Sequence, residues 1–231
     1  DFAYGARRFV IGLSKKVLIA NTLGKLVAIF QNVNEKTVLS YWIIAFAFSL
    51  QIYFDFSGYS DMAIGLGRIF GFHFLENFNY SFISRSLTEF WRRWHMSLGT
   101  WFRDYVYIPM GGNRVSKAKW IRNILVVWFL TGFWHGAEWN FVFWGLYFAL
   151  FLILEKLFLQ RILNKLPPIA AHLYTLTFLL ISFVLFNVDG LSESWVSFQG
   201  MFGMLDIPFS NAFTMYYLKS YRFVLMIAVI T

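Results

Sequence analysis

The chain has 231 residues, of which 58% are hydrophobic and 14% charged, against about 45–50% and about 25% in soluble proteins. A water-facing domain of this size needs a charged surface that the sequence does not supply, so an all-α, polytopic membrane protein with lipid and protein as its solvents is predicted. The net charge of +8 is concentrated in residues 85–122, where eight Lys or Arg face only Glu89 and Asp104; positive segments collect on the cytoplasmic side, and the interleaved Trp and flanking apolar runs argue against a nucleic-acid partner. The absence of Cys excludes disulfides, thiolate nucleophiles and Cys-ligated metals.

In chain order, residues 9–30 are apolar apart from a few Lys, Ser, Asn and Thr and predict a tilted or partly interfacial helix. Residues 39–54 read as a span. The run Asp55-Phe56-Ser57-Gly58-Tyr59-Ser60-Asp61 then brings two carboxylates and small residues that must face protein or a water-filled cavity. Residues 62–74, interrupted by Gly65, Gly67 and Gly71, predict a short helix or a re-entrant piece. Residues 84–101 mix Trp, Phe and Leu with Arg and Glu, the pattern of one amphipathic interfacial helix, and Gly111-Gly112-Asn113 marks a turn. Residues 121–134 and 138–159 form the most apolar region, with a break at His135-Gly136. Pro167-Pro168 marks a loop, residues 173–188 another span, and residues 189–210 an exposed loop. The expectation is about five spans or large parts of spans and at least two interfacial or re-entrant pieces, in one transmembrane domain over residues 1–231.

Four His are present. A His in apolar surroundings can take a proton from a hydroxyl near neutral pH, and His135, at a helix break between Trp134 and Gly136, is the first candidate. The alternative for it is a structural histidine bonded to a carbonyl. His95 lies in Trp91-Arg92-Arg93-Trp94-His95, which reads equally as an anion-binding group or an interfacial anchor; His73 and His172 read as structural. Glu138 reads as the cap of the helix after His135, and Asp55 with Asp61 as a structural network rather than an ion path. No HExxH, His-x-His or paired Asp-His spacing occurs, so no metal centre is expected.

The runs DFSGYSDMAIGLGRIFGFHFLENFNY, SRSLTEFWRRWHMSLGTWFRDYVYIPMGGNR and TGFWHGAEWNFVFWGLY strongly resemble the membrane-bound O-acyltransferase family, and within it a bacterial branch of alginate O-acetylation and teichoic-acid D-alanylation. The stretch 109–114 resembles the acetylating members more closely, and Ser81-Phe82 departs from the Pro-Tyr common among relatives. The resemblance implies a helical ring with a central tunnel. It also implies that His135 matches the family's near-invariant histidine and His95 the second one, and that the chain is a middle-to-C-terminal fragment of a longer protein.

Chemistry and resemblance together lead to an O-acyltransferase of the bacterial inner membrane. Acetyl would come from acetyl-coenzyme A or an acyl-carrier thioester, a donor substrate rather than a bound cofactor, and the acceptor would be a hydroxyl of an extracytoplasmic polysaccharide. His135 is expected as general base, His95 as the group that polarises or positions the donor carbonyl, and Arg92, Arg93 and Arg103 on the donor or carrier side. Relay to a secreted or membrane-anchored partner transferase is an open alternative. A transporter using Asp55, Asp61 and the histidines, or a partner-recruiting subunit without chemistry, would fit the same composition.

Overall fold

In a bilayer every backbone amide must find its partner within the chain, and the chain resolves this with helices. The computed structural model describes residues 1–230, which divide into two compact units, one of Asp1–Glu76 with Ser192 onward and one of Asn77–Leu191.

The first unit is built on two long antiparallel helices. α1 (Phe2–Ser14) runs through one wider, π-helical stretch (Lys15–Ala20) into α2 (Asn21–Gln31) without interruption, so the predicted helix begins seven residues earlier than its apolar run. After a capping box at Thr37 and Ser40, α3 (Val38–Ile69) continues for 32 residues, about 48 Å at 1.5 Å per residue and longer than the ~30 Å hydrocarbon core. This corrects the sequence reading: residues 39–54 and 62–69 belong to one helix that passes through Asp55–Asp61 unbroken. Gly58 acts as a contact residue here, and Ser57 and Ser60 are buried within the helix, not breakers of it. A Cβ on Gly12 would stand 2.5 Å from the Gly58 carbonyl and one on Gly5 2.6 Å from that of Gly65, so the two backbones meet at paired glycines, a common device of membrane helices.

The acidic residues of α3 are answered from the facing helix. Asp61, buried, accepts from Arg8 and Lys15 at 2.6–2.8 Å; Lys16 pairs with Asp55, and Arg8 also reaches Glu76 at 2.6 Å. The apolar remainder forms two clusters, Ala20, Leu23, Leu50, Phe54 and Ala228 in one, Leu26, Val27, Phe30, Ile43 and Ala47 in the other. Residues 189–210, read from sequence as a loop, contain α10 (Leu191–Met201); the Met201 carbonyl accepts from the Trp42 indole at 2.8 Å, and Gly200 packs on the Tyr41 ring. α11 (Ala212–Ser220) and α12 (Arg222–Ile230) follow, bent by 53° at Tyr221.

The second unit opens with extended chain and two short helices, α4 (Leu87–Arg93) and α5 (Met96–Phe102), the latter prolonged by a π-helical turn, Arg103–Tyr107. The single amphipathic helix expected over 84–101 is therefore broken, at Trp94 and His95. Gly111 and Gly112 take positive φ of 96° and 52° in the predicted turn. α6 (Lys117–His135) ends where the break was expected, and α7 (Trp139–Leu154) continues through a π-helical turn (Glu155–Leu159) and α8 (Gln160–Leu163). Pro168 starts α9 (Pro168–Phe186) at its first turn, where a missing N–H costs nothing.

Three helices are long and apolar enough to cross a membrane, Val38–Ile69, Trp139–Leu163 and Pro168–Phe186, with a fourth if the bent pair α11 and α12 counts as one. The five expected from sequence thus fall to three or four among the described residues. The helix from Phe2 to Gln31, which carries Arg7, Arg8, Lys15, Lys16 and Lys25, and α6, which carries Lys117, Lys119 and Arg122, do not meet that measure of length and composition.

Candidate active site

α4 stops at Arg93, Trp94 is extended and buried, and His95 takes φ 46°, in the left-handed region. A residue with a Cβ pays about 1–3 kcal/mol there and persists only where its neighbours enforce it. Asn77 does so. Its carbonyl accepts from Met96 N at 3.0 Å, and its Oδ1 accepts from Ser97 N at 3.0 Å and Ser97 Oγ at 2.9 Å while lying 3.4 Å from His95 Nδ1. On the other side of the break the Arg93 carbonyl accepts from Asn79 N at 2.9 Å and Ser81 Oγ at 2.7 Å. Burial pushes the His95 imidazole down to about 4, so it is neutral at physiological pH.

His135 is the last residue of α6, and the helix ends because Gly136 turns to extended backbone. Its ring is enclosed by Trp134, Trp144 and Phe186 at centroid distances of 4.9, 5.0 and 5.3 Å, and it has no hydrogen bond among the described residues. Trp134 also meets the His95 ring at 6.0 Å. One indole therefore touches both imidazoles, and a positive charge on His95 would lower the proton affinity of His135. The scaffold behind them is aromatic: Trp91 contacts Trp128, Trp144 and Phe148 at 4.7–5.7 Å.

A cavity of about 680 Å³ opens at His95, which lines it with Thr131, Trp91, Trp120, Trp128 and Phe102 together with Arg92, Arg103, Tyr107, Asn113 and Lys156. That is the scale of a whole small-molecule site. Thr131 lies one helical turn before His135, on the same side of α6. Lys156 donates to Asn113 Oδ1 at 3.1 Å and lies 5.6 Å from the centre of the Trp120 ring, and Tyr107 OH donates to the same Asn113 oxygen at 2.6 Å.

The structure thus brings His95, Arg92 and Arg103 to the lining of one cavity, whereas His135 contacts Trp134 and is not among the lining residues. Arg93 does not join them. It pairs with Glu89 at 2.9 Å and donates to the Asn79 carbonyl, holding the break instead of facing the cavity. Arg103 is bonded to the adjacent Asp104 at 2.7 Å. His172 sits 3.1 Å from the Ser84 carbonyl and His73 is exposed. Glu138 occupies the N-cap position of α7, but its side chain makes no capping bond. Among the described residues no three His, Asp or Glu converge in a way that could hold a metal ion.

Two supporting residues are missing from the sequence reading. Asn77 carries no periodic signal that distinguishes it from Asn79. Glu155 does carry one, as an acid in an apolar run of spanning length, where an ionisable residue marks a function by default. It is 1% exposed and accepts from Leu87 N, Thr88 N and Thr88 Oγ1 at 2.6–2.8 Å and from Tyr174 OH at 3.2 Å. A carboxylate from α7's π-helical turn therefore holds the N-terminus of α4, the helix that leads to His95.

A family model described as MBOAT, membrane-bound O-acyltransferase family, matches residues 1–187. The chain belongs to the membrane-bound O-acyltransferase family. Among curated relatives, a probable alginate O-acetylase of Pseudomonas aeruginosa is 45% identical over 207 residues, 87% of this chain and 39% of the relative. A peptidoglycan O-acetyltransferase of Helicobacter pylori is 36% identical, covering 88% of this chain and 40% of its own length. A teichoic acid D-alanyltransferase of Bacillus subtilis is 33% identical, covering 68% and 42%. The chain spans about two fifths of the length of these relatives.

Proposed function

We propose that the chain is the histidine-bearing part of an O-acyltransferase of the bacterial inner membrane, which moves acetyl from a cytoplasmic thioester, acetyl-coenzyme A or an acyl carrier, to a hydroxyl of a cell-envelope polysaccharide. The observation that carries this is that Trp134 touches both imidazoles while His95 lines a ligand-sized cavity with Arg92, Arg103 and Lys156. Acetyl is preferred to D-alanyl because the relatives named for acetylation are 36–45% identical and those named for D-alanylation 33%.

In this reading His135 takes the proton of the acceptor hydroxyl, whose oxygen attacks the thioester carbonyl. The C–S bond then breaks, and the departing thiolate recovers the proton from the imidazolium. The aromatic rings Trp144 and Phe186 at His135 limit the water that could hydrolyse the donor. Neutral His95 positions the donor carbonyl, and Arg92 and Arg103 attract the anionic part of the donor or its carrier from the cytoplasmic side.

The test follows labelled acetyl from acetyl-coenzyme A into polysaccharide in membranes carrying the full-length protein or its His135→Ala variant at equal abundance. Loss of a general base predicts a fall of about 10²–10⁴-fold. Equal transfer by both proteins would remove His135 from the chemistry.

A further inference from the structure

A second cavity of about 270 Å³ lies in the same unit and shares no lining residue with the histidine cavity. Its walls are polar: Arg85, Glu89, Gln160 and Asn164, closed by Pro168. Their positions set its depth. Gln160 belongs to the last turn of the candidate span Trp139–Leu163, Asn164 follows that span directly, and Pro168 begins the span Pro168–Phe186. The cavity therefore sits at the turn between two spans, where chain leaves hydrocarbon for the headgroup layer.

Its charges are unequally committed. Glu89 is already engaged by the Arg93 guanidinium at 2.9 Å and by Arg85 N at 2.9 Å, whereas the guanidinium of Arg85 has no ion pair or hydrogen bond among the described residues. Gln160 donates its amide to Asn164 Oδ1 at 2.9 Å, which leaves the Asn164 N–H groups to serve something else. Arg161 and Lys165 on the same turn are exposed, and the turn also carries exposed Ile162, Leu166 and Ile169. Cations, amide donors and outward apolar side chains at one depth are the requirements of an anionic lipid, and basic pockets at span ends are where such headgroups bind.

We propose that this cavity holds the phosphodiester headgroup of an anionic phospholipid, gripped by Arg85 and the Asn164 amide, with Arg161 and Lys165 adding attraction and the acyl chains left in the bilayer. The volume, below the ~300–1,000 Å³ of sites that enclose a whole ligand, suits a headgroup and not an entire lipid. The bound lipid ties the start of α4 to the turn between the two spans. A free phosphate would satisfy the same donors but would make no use of Ile162, Leu166 and Ile169.

The test is native mass spectrometry of the full-length protein in detergent, with phosphatidylglycerol, phosphatidylcholine or inorganic phosphate added. Phosphatidylglycerol should be retained in preference to phosphatidylcholine. Arg85→Gln should weaken that retention about fivefold, the worth of one interfacial cation, and phosphatidylcholine retention should not change. Asn164→Leu, at an exposed position, carries the same expectation and serves should Arg85→Gln fail to give monodisperse protein. Equal retention of the two lipids, or retention of phosphatidylglycerol unchanged in both variants, would overturn the proposal. Displacement by inorganic phosphate at the lipid's own concentration would also overturn it, in favour of a small-anion site.

Discussion

The two units treat polar groups inside an apolar protein in opposite ways. Along the helix pair of the first unit, the cations Arg8, Lys15 and Lys16 are matched to Asp61, Asp55 and Glu76 within hydrogen-bonding distance. In the second, His95 and His135 stand against indoles, and His95 lines a 680 Å³ cavity. A paired charge has spent its electrostatic capacity on its partner and fixes the register of two helices. A ring-walled imidazole such as His135, with no hydrogen bond among the described residues, keeps its proton chemistry for something that enters. Paired charges thus yield a clamp in one unit, and ring-walled imidazoles a candidate reaction centre in the other.

The variant that strains this contrast most is Asp61→Ala, which leaves Arg8 and Lys15 without their shared acid. Breaking a fully buried pair costs about 3–5 kcal/mol; here Arg8 and Lys15 keep 25% and 27% of their side-chain exposure, so about 2–3 kcal/mol is expected, read as a lower thermal midpoint in detergent. An unchanged midpoint would mean that the network does not clamp the helices. Glu155→Gln comes next. It replaces two carboxylate oxygens that accept four bonds with one oxygen and an N–H₂ group facing donors, a loss of about 2 kcal/mol. Because α4 leads to His95, acyl transfer per folded molecule should also fall about tenfold, through kcat and not KM. Retained kcat would reduce Glu155 to a purely structural cap. Gly12→Ala should cost about 1–2 kcal/mol, since its Cβ would stand 2.5 Å from the Gly58 carbonyl and the helices must separate; again only stability should respond. The smallest effect is expected of Arg103→Gln, a severalfold rise in donor KM with kcat unchanged, and no change in KM would take Arg103 off the donor's route.

What could be read from sequence depended on whether the physical signal was local. The end of α6 at His135 was legible, because Gly136 and the polar pair Glu138 and Asn140 interrupt an apolar run. The break at His95 was not. Trp94-His95-Met96 contains neither Gly nor Pro, and the left-handed residue is enforced by Asn77, eighteen positions away. The continuity of α3 was hidden for the converse reason. Ser57, Gly58 and Ser60 look like a breaker when judged by propensity in water, but in lipid the helix is retained and Gly58 meets Gly12 on the facing helix. Likewise α10 shows little apolar periodicity of its own and is held by contacts of Gly200 and Met201 with Tyr41 and Trp42.

The most direct test of this contrast compares acyl transfer per folded molecule in Asp61→Asn and His135→Ala forms of the full-length protein, reconstituted side by side with the parent. The account predicts that Asp61→Asn loses folded protein while each surviving molecule works near the parental rate, and that His135→Ala keeps its folded yield and loses transfer by about 10²–10⁴-fold. Parental transfer from His135→Ala, or a folded Asp61→Asn protein without activity, would contradict it.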